Sequence, residues 1–212
     1  MNPISETYNM DCMEYMRQFP DKHFELAVVD PEYGIKRSGQ IETFTKNPKH
    51  KRKFFEKKKW DEKPAPPEYF KELFRVSENQ IIWGANYFTK SLPPSMGWIF
   101  WDKGQDLSMS DGELAFTSFE RALRRIKINR AQLVIEGGTI HPTQKPIKLY
   151  KWLLSNYAKP GDKILDTHLG SGSSRIAAYD LGFDFYATEL DKDYFDAQEK
   201  RFQNFKSQLK LF

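Results

Sequence analysis

The stretch Lys163-Ile-Leu-Asp-Thr-His-Leu-Gly-Ser-Gly-Ser-Ser174 limits what this chain can fold into more than any other. It reads as a short apolar strand, a turn through Gly170 and Gly172, and the start of a helix, which is the form of a nucleotide-type cofactor site. Glycine at both turn positions lets the backbone bend tightly and come close to a ligand. Glu189 stands 23 residues after Asp166, at the end of the next apolar run, where a carboxylate can accept hydrogen bonds from both hydroxyls of a ribose. A dinucleotide fingerprint would need glycine at 175, and the chain has Arg175, which favours an adenosyl ligand without phosphate. A plain tight turn in an α/β protein would carry the same glycines. Only 46 of the 212 residues follow Asp166, too few to complete a doubly wound sheet, so the remaining strands are expected from the N-terminal side.

The rest of the pattern supplies them. Glu25 to Val29, Gln80 to Gly84, Trp98 to Trp101, Glu113 to Phe119 and Phe183 to Glu189 read as strands. Pro67 to Val76 and Pro146 to Tyr157 each open on a proline and read as helices, followed by helices from Ser173 to Leu181 and from Asp191 towards Phe205. Strands alternating with helices predict a mostly parallel sheet covered on both faces, in one unit spanning 1–212. A hydrophobic fraction of 39% suffices for a core, and no apolar run approaches the roughly 18 residues of a membrane span. Met1 to Met10 shows neither a basic nor an apolar leader region, and the single cysteine, Cys12, leaves no disulfide framework and no multi-thiolate zinc site. The expectation is a cytoplasmic protein. No His/Cys/Asp group has metal-ligand spacing.

A net charge of only +4 conceals a local imbalance. Residues 36–63 hold 11 Lys/Arg against four acidic residues, a local +7, so the remainder carries −3. Within the segment Lys36, Arg37, Lys49, Lys51, Arg52, Lys53, Lys57, Lys58 and Lys59 are interleaved with Phe44, Phe54, Phe55 and Trp60, and a second cluster at Arg121, Arg124 and Arg125 follows. Clustered cations with aromatics suit a phosphate backbone, where each neutralised phosphate releases counterions. A solvated loop would show the same charge run. The segment lacks an apolar period and reads as a long insertion, a candidate nucleic-acid-contacting element.

Asp30-Pro31-Glu32-Tyr33 directly follows an apolar strand, and ligands bind outside the carboxyl ends of such strands. Asp30 and the Pro31 carbonyl can each accept a hydrogen bond from an exocyclic amine, and Tyr33 offers a flat face to a base. Taken with Tyr8 to Met13, Glu113 to Phe119, His141-Pro-Thr-Gln-Lys-Pro146, Asp166 to Ser174 and the closing Glu189, Tyr194, Ala197 and Arg201, the chain resembles the β-class DNA amino-methyltransferases. That is the permuted group in which the target-amine motif precedes the S-adenosylmethionine (SAM) motif.

The resemblance implies a Rossmann-like, SAM-dependent methyltransferase fold with permuted motif order. It implies SAM as cofactor, DNA as partner, the insertion 36–63 as candidate DNA-contacting and target-recognition element, and a homodimer of the kind family members often form. It places Asp30, Pro31 and Tyr33 in catalysis and Asp11 and Cys12 at the cofactor, with Asp11 on its adenine. His141, Thr143, Gln144 and Lys145 fall at the methionine part, and Asp166, His168, Gly170, Ser171, Gly172, Ser173 and Glu189 around the remainder. Glu32 replaces the second proline of the target motif, and Thr167-His168 replaces Pro-Phe in the cofactor motif. His168 either shapes the cofactor pocket or is a satisfied, partly buried histidine. The implied reaction is direct methyl transfer to the exocyclic amine of a flipped base. An aspartate at the first motif position leans towards adenine N6 over cytosine N4. RNA as the polymer, a decayed DNA-binding homologue and a nicotinamide-dependent oxidoreductase are the alternatives.

Overall fold

The computed structural model describes residues 2–39, 54–104 and 110–209, so the expected DNA contacts at Lys49, Lys51, Arg52 and Lys53 lie outside the described residues. Eight strands form one sheet: β1 (Ser5–Tyr8), β2 (Phe24–Val29), β3 (Ser77–Trp83), β4 (Trp98–Asp102), β5 (Gly112–Thr117), β6 (Arg124–Lys127), β7 (Lys163–Asp166) and β8 (Asp184–Thr188), in the spatial order β1-β8-β7-β2-β3-β5-β4-β6. All neighbours pair in parallel except β5, which runs against β3 and β4.

Helices α1 (Cys12–Met16), α2 (Pro67–Val76), α3 (Gln132–Ile135), α4 (Ile147–Tyr157), α5 (Ser173–Asp180) and α6 (Lys192–Leu209) cover the sheet. Each start has a local cause. Asp11 accepts the Met13 and Glu14 N–H groups at 2.9 and 3.0 Å and caps α1. Pro66 and Pro67 set the entry to α2, where a missing N–H costs nothing. At α4, Pro146 is the capping residue, and the Glu136 carboxylate accepts the Ile147 and Lys148 N–H groups at 2.7 and 3.0 Å.

The pleat divides the apolar side chains between two layers. Leu26 and Val28 join Ile81, Trp83, Leu149 and Leu153 on one face, while Ala27 and Val29 join Tyr69, Phe70, Leu73 and Ile82 on the other. Each large side chain buried this way contributes about 1.5–3 kcal/mol. The expected helices over 67–76 and 146–157 and the expected strands at β2, β3, β4, β5, β7 and β8 agree with this arrangement. Sequence reading omitted β1, α1, α3 and β6.

Successive crossovers carry the chain from β7 to β8 on one side and from β2 to β3 on the other. The strand order therefore reverses between the adjacent strands β7 and β2, and the crevice position at which open sheets of this kind bind ligands falls at their carboxyl ends, between Asp166 and Asp30.

Candidate active site

On the β2 side of the crevice, Asp30 is ion-paired to Lys145 and accepts a hydrogen bond from the Tyr33 hydroxyl. The Lys145 ammonium also reaches Glu113 Oε2 at 3.2 Å, and Glu113 Oε1 is held by Lys103 at 2.8 Å. Two carboxylates thus face two ammonium groups, a balance that buried charge requires. Burial opposes ionisation of Glu113, but Lys145 and Lys103 hold its pKa below the ordinary value. Burial, with Asp30 and Glu113 close by, keeps the Tyr33 phenol protonated. The Tyr33 ring packs on Gly84, where a side chain would stand 2.1 Å from it, so position 84 admits only glycine. Tyr87 lies parallel to the same ring at 5.1 Å between centroids.

On the β7 side, Asp166 Oδ2 accepts the Ser174 hydroxyl at 2.5 Å and Oδ1 accepts the His168 N–H at 3.1 Å. Burial pushes the Asp166 carboxyl up to about 6. Gly170 and Gly172 turn in the left-handed region at φ +51° and +70°. A side chain on Gly170 would stand 3.8 Å from the His141 ring, in space the glycine leaves clear. Glu189 receives the Gly170 N–H on Oε2 at 2.8 Å and the Asp191 N–H on Oε1 at 2.9 Å. A carboxylate has about four acceptor sites, so this one is oriented with capacity left for two hydroxyls.

The expected cofactor residues separate into groups. Gly170 is joined to Glu189 by a hydrogen bond and lies beside the His141 ring; Thr143 supports His141, its hydroxyl 3.2 Å from Nδ1. His141 lies between Trp60 (5.3 Å, stacked) and Tyr194 (4.3 Å, edge-on), and burial lowers its pKa to about 3. Ser171 and Ser173 anchor Arg201, which reaches the Ser171 carbonyl and the Ser173 hydroxyl at 2.9 Å each. Gln144 braces its own loop through Ile140 N–H and the Gly138 carbonyl. Asp11 caps α1, and Cys12 sits beside His168. Lys145, expected at the methionine part, serves Asp30.

The basic residues also divide. Lys58 is bound to Asp191 at 2.6 Å and Asp193 at 2.7 Å, with its ammonium 4.5 Å above Tyr194. It therefore fastens the insertion to the start of α6 instead of presenting its charge outward. Asp61, 2% exposed, accepts the Gly34 and Arg37 N–H groups at 2.8 and 2.6 Å and closes the base of the insertion. Lys36, Arg37, Lys57 and Lys59 are exposed. Arg121 donates to the Asn156 carbonyl at 2.5 Å, Arg125 pairs with Asp102 at 2.5 Å, and Arg124 is exposed on β6. Four strand spacings separate β6 from β2, about 19 Å. Sequence reasoning missed Tyr69, Tyr87 and Lys103 and placed Trp60 only among the aromatics of the basic segment, not on His141; each acts through a partner distant in sequence.

Sheet order, glycine turn and carboxylate-bearing strand end define the class, a Rossmann-like methyltransferase fold. The chain belongs to the DNA methylase family of N6/N4 methyltransferases, which matches residues 40–200. Over 72 residues it is 40% identical to the type II methyltransferase M.HinfI of Haemophilus influenzae, a stretch covering 34% of this chain and 20% of that protein. The chain thus aligns with about a fifth of the length of the curated relatives it matches. M1.HpyAVI, solved as a complex with SAM, superposes with TM-score 0.60 at 17% identity, covering 93% of this chain and 98% of that one. PvuII DNA methyltransferase, cytosine-N4-specific, superposes with TM-score 0.61 at 14% identity, covering 95% and 86%. These structures share the fold. Among the described residues, no helix is long and apolar enough to cross a membrane.

Proposed function

We propose that the chain transfers a methyl group from SAM to the exocyclic amine of a base flipped out of DNA, with adenine N6 as the target. The observation carrying this reading is that Asp30 and the Asp166–Gly172 turn face each other across the carboxyl ends of neighbouring strands β2 and β7. The donor set fits SAM: Glu189 is oriented for ribose hydroxyls, Gly170 leaves room beside His141, and the surrounding rings of Trp60, His141 and Tyr194 offer flat aromatic surfaces. When bound, SAM supplies an electrophilic methyl group on a sulfonium whose thioether is a good leaving group.

The chain's own residues then orient the amine. Asp30 and the Pro31 carbonyl accept its two hydrogens, which turns the nitrogen lone pair away from them and towards the cofactor side. Tyr33 and Lys145 fix the Asp30 carboxylate in advance, so little reorganisation accompanies the reaction. Asp30 is also placed to receive the proton that the nitrogen releases after transfer. A base inside a duplex cannot reach this crevice, so flipping or a single strand is required. The exposed Lys36, Arg37, Lys57, Lys59 and Arg124 are the candidate phosphate contacts, and Asp at position 30 supports adenine over cytosine. A titration of SAM binding beside a methyl-transfer assay on DNA tests the reading in parent and Asp30→Ala. Binding in both with transfer in the parent alone supports it, and equal transfer in both rejects it.

A further inference from the structure

Two of the positions at which this chain departs from the motifs it otherwise resembles, Glu32 and His168, are in contact. Glu32 Oε2 stands 3.2 Å from His168 Nε2. His168 Nδ1 lies 2.9 Å from Thr167 Oγ1, which lies 2.7 Å from the Tyr69 hydroxyl, and the Tyr69 ring meets the imidazole edge-on at 5.2 Å. With both ring nitrogens protonated, the imidazolium donates to Glu32 on one side and to Thr167 on the other. The titratable groups facing it are Glu32 from the turn after β2, Tyr69 from α2, Cys12 from α1, Asp166 from β7 and Glu189 from the end of β8.

We propose that Glu32 and His168 form a positioning ion pair that ties the target-amine turn to the cofactor turn and so sets the alignment of the two reactants. This rests on the reading of the site given above. The Pro31 carbonyl lies in the peptide plane that the Glu32 nitrogen completes, so anchoring Glu32 aims that carbonyl at the amine. The Glu32 carbonyl is held as well, accepting the Ala65 N–H at 3.0 Å. At the other end, His168 is two residues from Gly170, whose N–H orients Glu189. A shift of either partner therefore reaches both halves of the crevice. Each charge alone would be costly in this setting, and together they compensate. Burial works against the charged imidazole, yet Glu32, Tyr69 and Cys12 hold its pKa well above the ordinary value. Burial likewise opposes ionisation of Glu32, and His168 holds that carboxyl below its usual range.

The test compares the full chain with Glu32→Pro, His168→Phe and the double variant, with Glu32→Gln as the shape-retaining alternative should Glu32→Pro not fold. Each single change is expected to lower kcat roughly ten- to hundredfold, the scale of a small misplacement of reacting groups, with KM for DNA and SAM near the parent's. The double variant, with neither charge, should regain most of that loss. Its pH profile should also lack the fall in activity that the parent shows as pH rises through the His168 pKa. A second readout needs no turnover: the His168 ring-proton NMR signal should titrate well above the ordinary value of about 6.5 in the parent and move down in Glu32→Gln. Losses that simply add in the double variant, or a parent His168 titrating near the ordinary value, would overturn the proposal. If the parent methylates nothing, the functional reading and the positioning role fall together, while a His168 titration lowered in Glu32→Gln still establishes the pair.

Discussion

The ammonium of Lys145 is ion-paired to the carboxylate of Asp30 across 115 residues of chain, inside the crevice and 3% exposed. The turn from Asp30 to Tyr33 therefore does not stand by itself: its carboxylate is held by a cation from the loop that enters α4. That cation also reaches Glu113. An incoming amine can displace the ammonium from one Asp30 oxygen without leaving it unpaired.

Lys145→Met should leave the Asp30 and Glu113 carboxylates without their shared cation. Removing one partner from a buried charge group costs about 3–5 kcal/mol. Because the folded Glu113 pKa lies below its unfolded value, its stabilising contribution is present above the unfolded pKa and fades as pH falls through the folded one. The stability gap between parent and variant in urea unfolding should therefore be wide at neutral pH and narrow in acid. A gap independent of pH would contradict the shared cation.

Asp166 acts in the opposite direction. Its carboxyl is raised to about 6 in the folded state, so between the unfolded value near 3.8 and about 6 the native state holds more protons than the unfolded one. That contribution to stability falls as pH rises through this window. Asp166→Asn should remove this slope, and the melting-temperature difference between variant and parent should grow in the variant's favour from pH 4 to about pH 6. A flat difference would place the titration elsewhere.

Glu189→Ala should raise the SAM dissociation constant about tenfold or more, the loss expected for a charged hydrogen-bond partner. Glu189→Gln keeps one acceptor oxygen and should lose less. Calorimetric titration of both variants separates a ribose contact from a purely local brace on Gly170 and Asp191, since an unchanged affinity leaves only the brace.

Lys58 and its neighbours should part company. Neutralising Lys57 and Lys59 should flatten the dependence of log affinity on log salt by about 0.9 per lost phosphate contact. Lys58→Ala should leave that slope nearly unaltered and weaken SAM binding instead, because Lys58 secures the insertion to Asp191 and Asp193 beside Glu189. Fluorescence anisotropy on one duplex at several salt concentrations measures both; a large slope change for Lys58→Ala would return it to the DNA surface.

Much of the fold was legible because burial leaves a local signature. The apolar runs at 26–29, 81–83, 164–165 and 185–187 within β2, β3, β7 and β8 pack on both faces of the sheet, and Pro67 and Pro146 mark helix starts through a fixed φ and an absent donor. The strand β6 was not legible: Arg124-Arg-Ile-Lys127 is an edge strand with only Ile126 turned inward, so its pattern is that of a charged loop. Within the site, the strand-end carboxylates and the glycine turn could be placed from position alone. The engagement of Lys145 with Asp30, of Lys58 with Asp191 and of His168 with Glu32 could not, because each joins residues that only the sheet order brings together.

The most direct test of the account is to incubate the purified protein with unmethylated DNA and isotope-labelled SAM, then digest the DNA to nucleosides for mass spectrometry. The account predicts labelled N6-methyladenine, absent from a parallel reaction with Asp30→Ala. Label appearing only in N4-methylcytosine would contradict the base assignment, and no labelled base, despite measured SAM binding, would contradict the proposed activity itself.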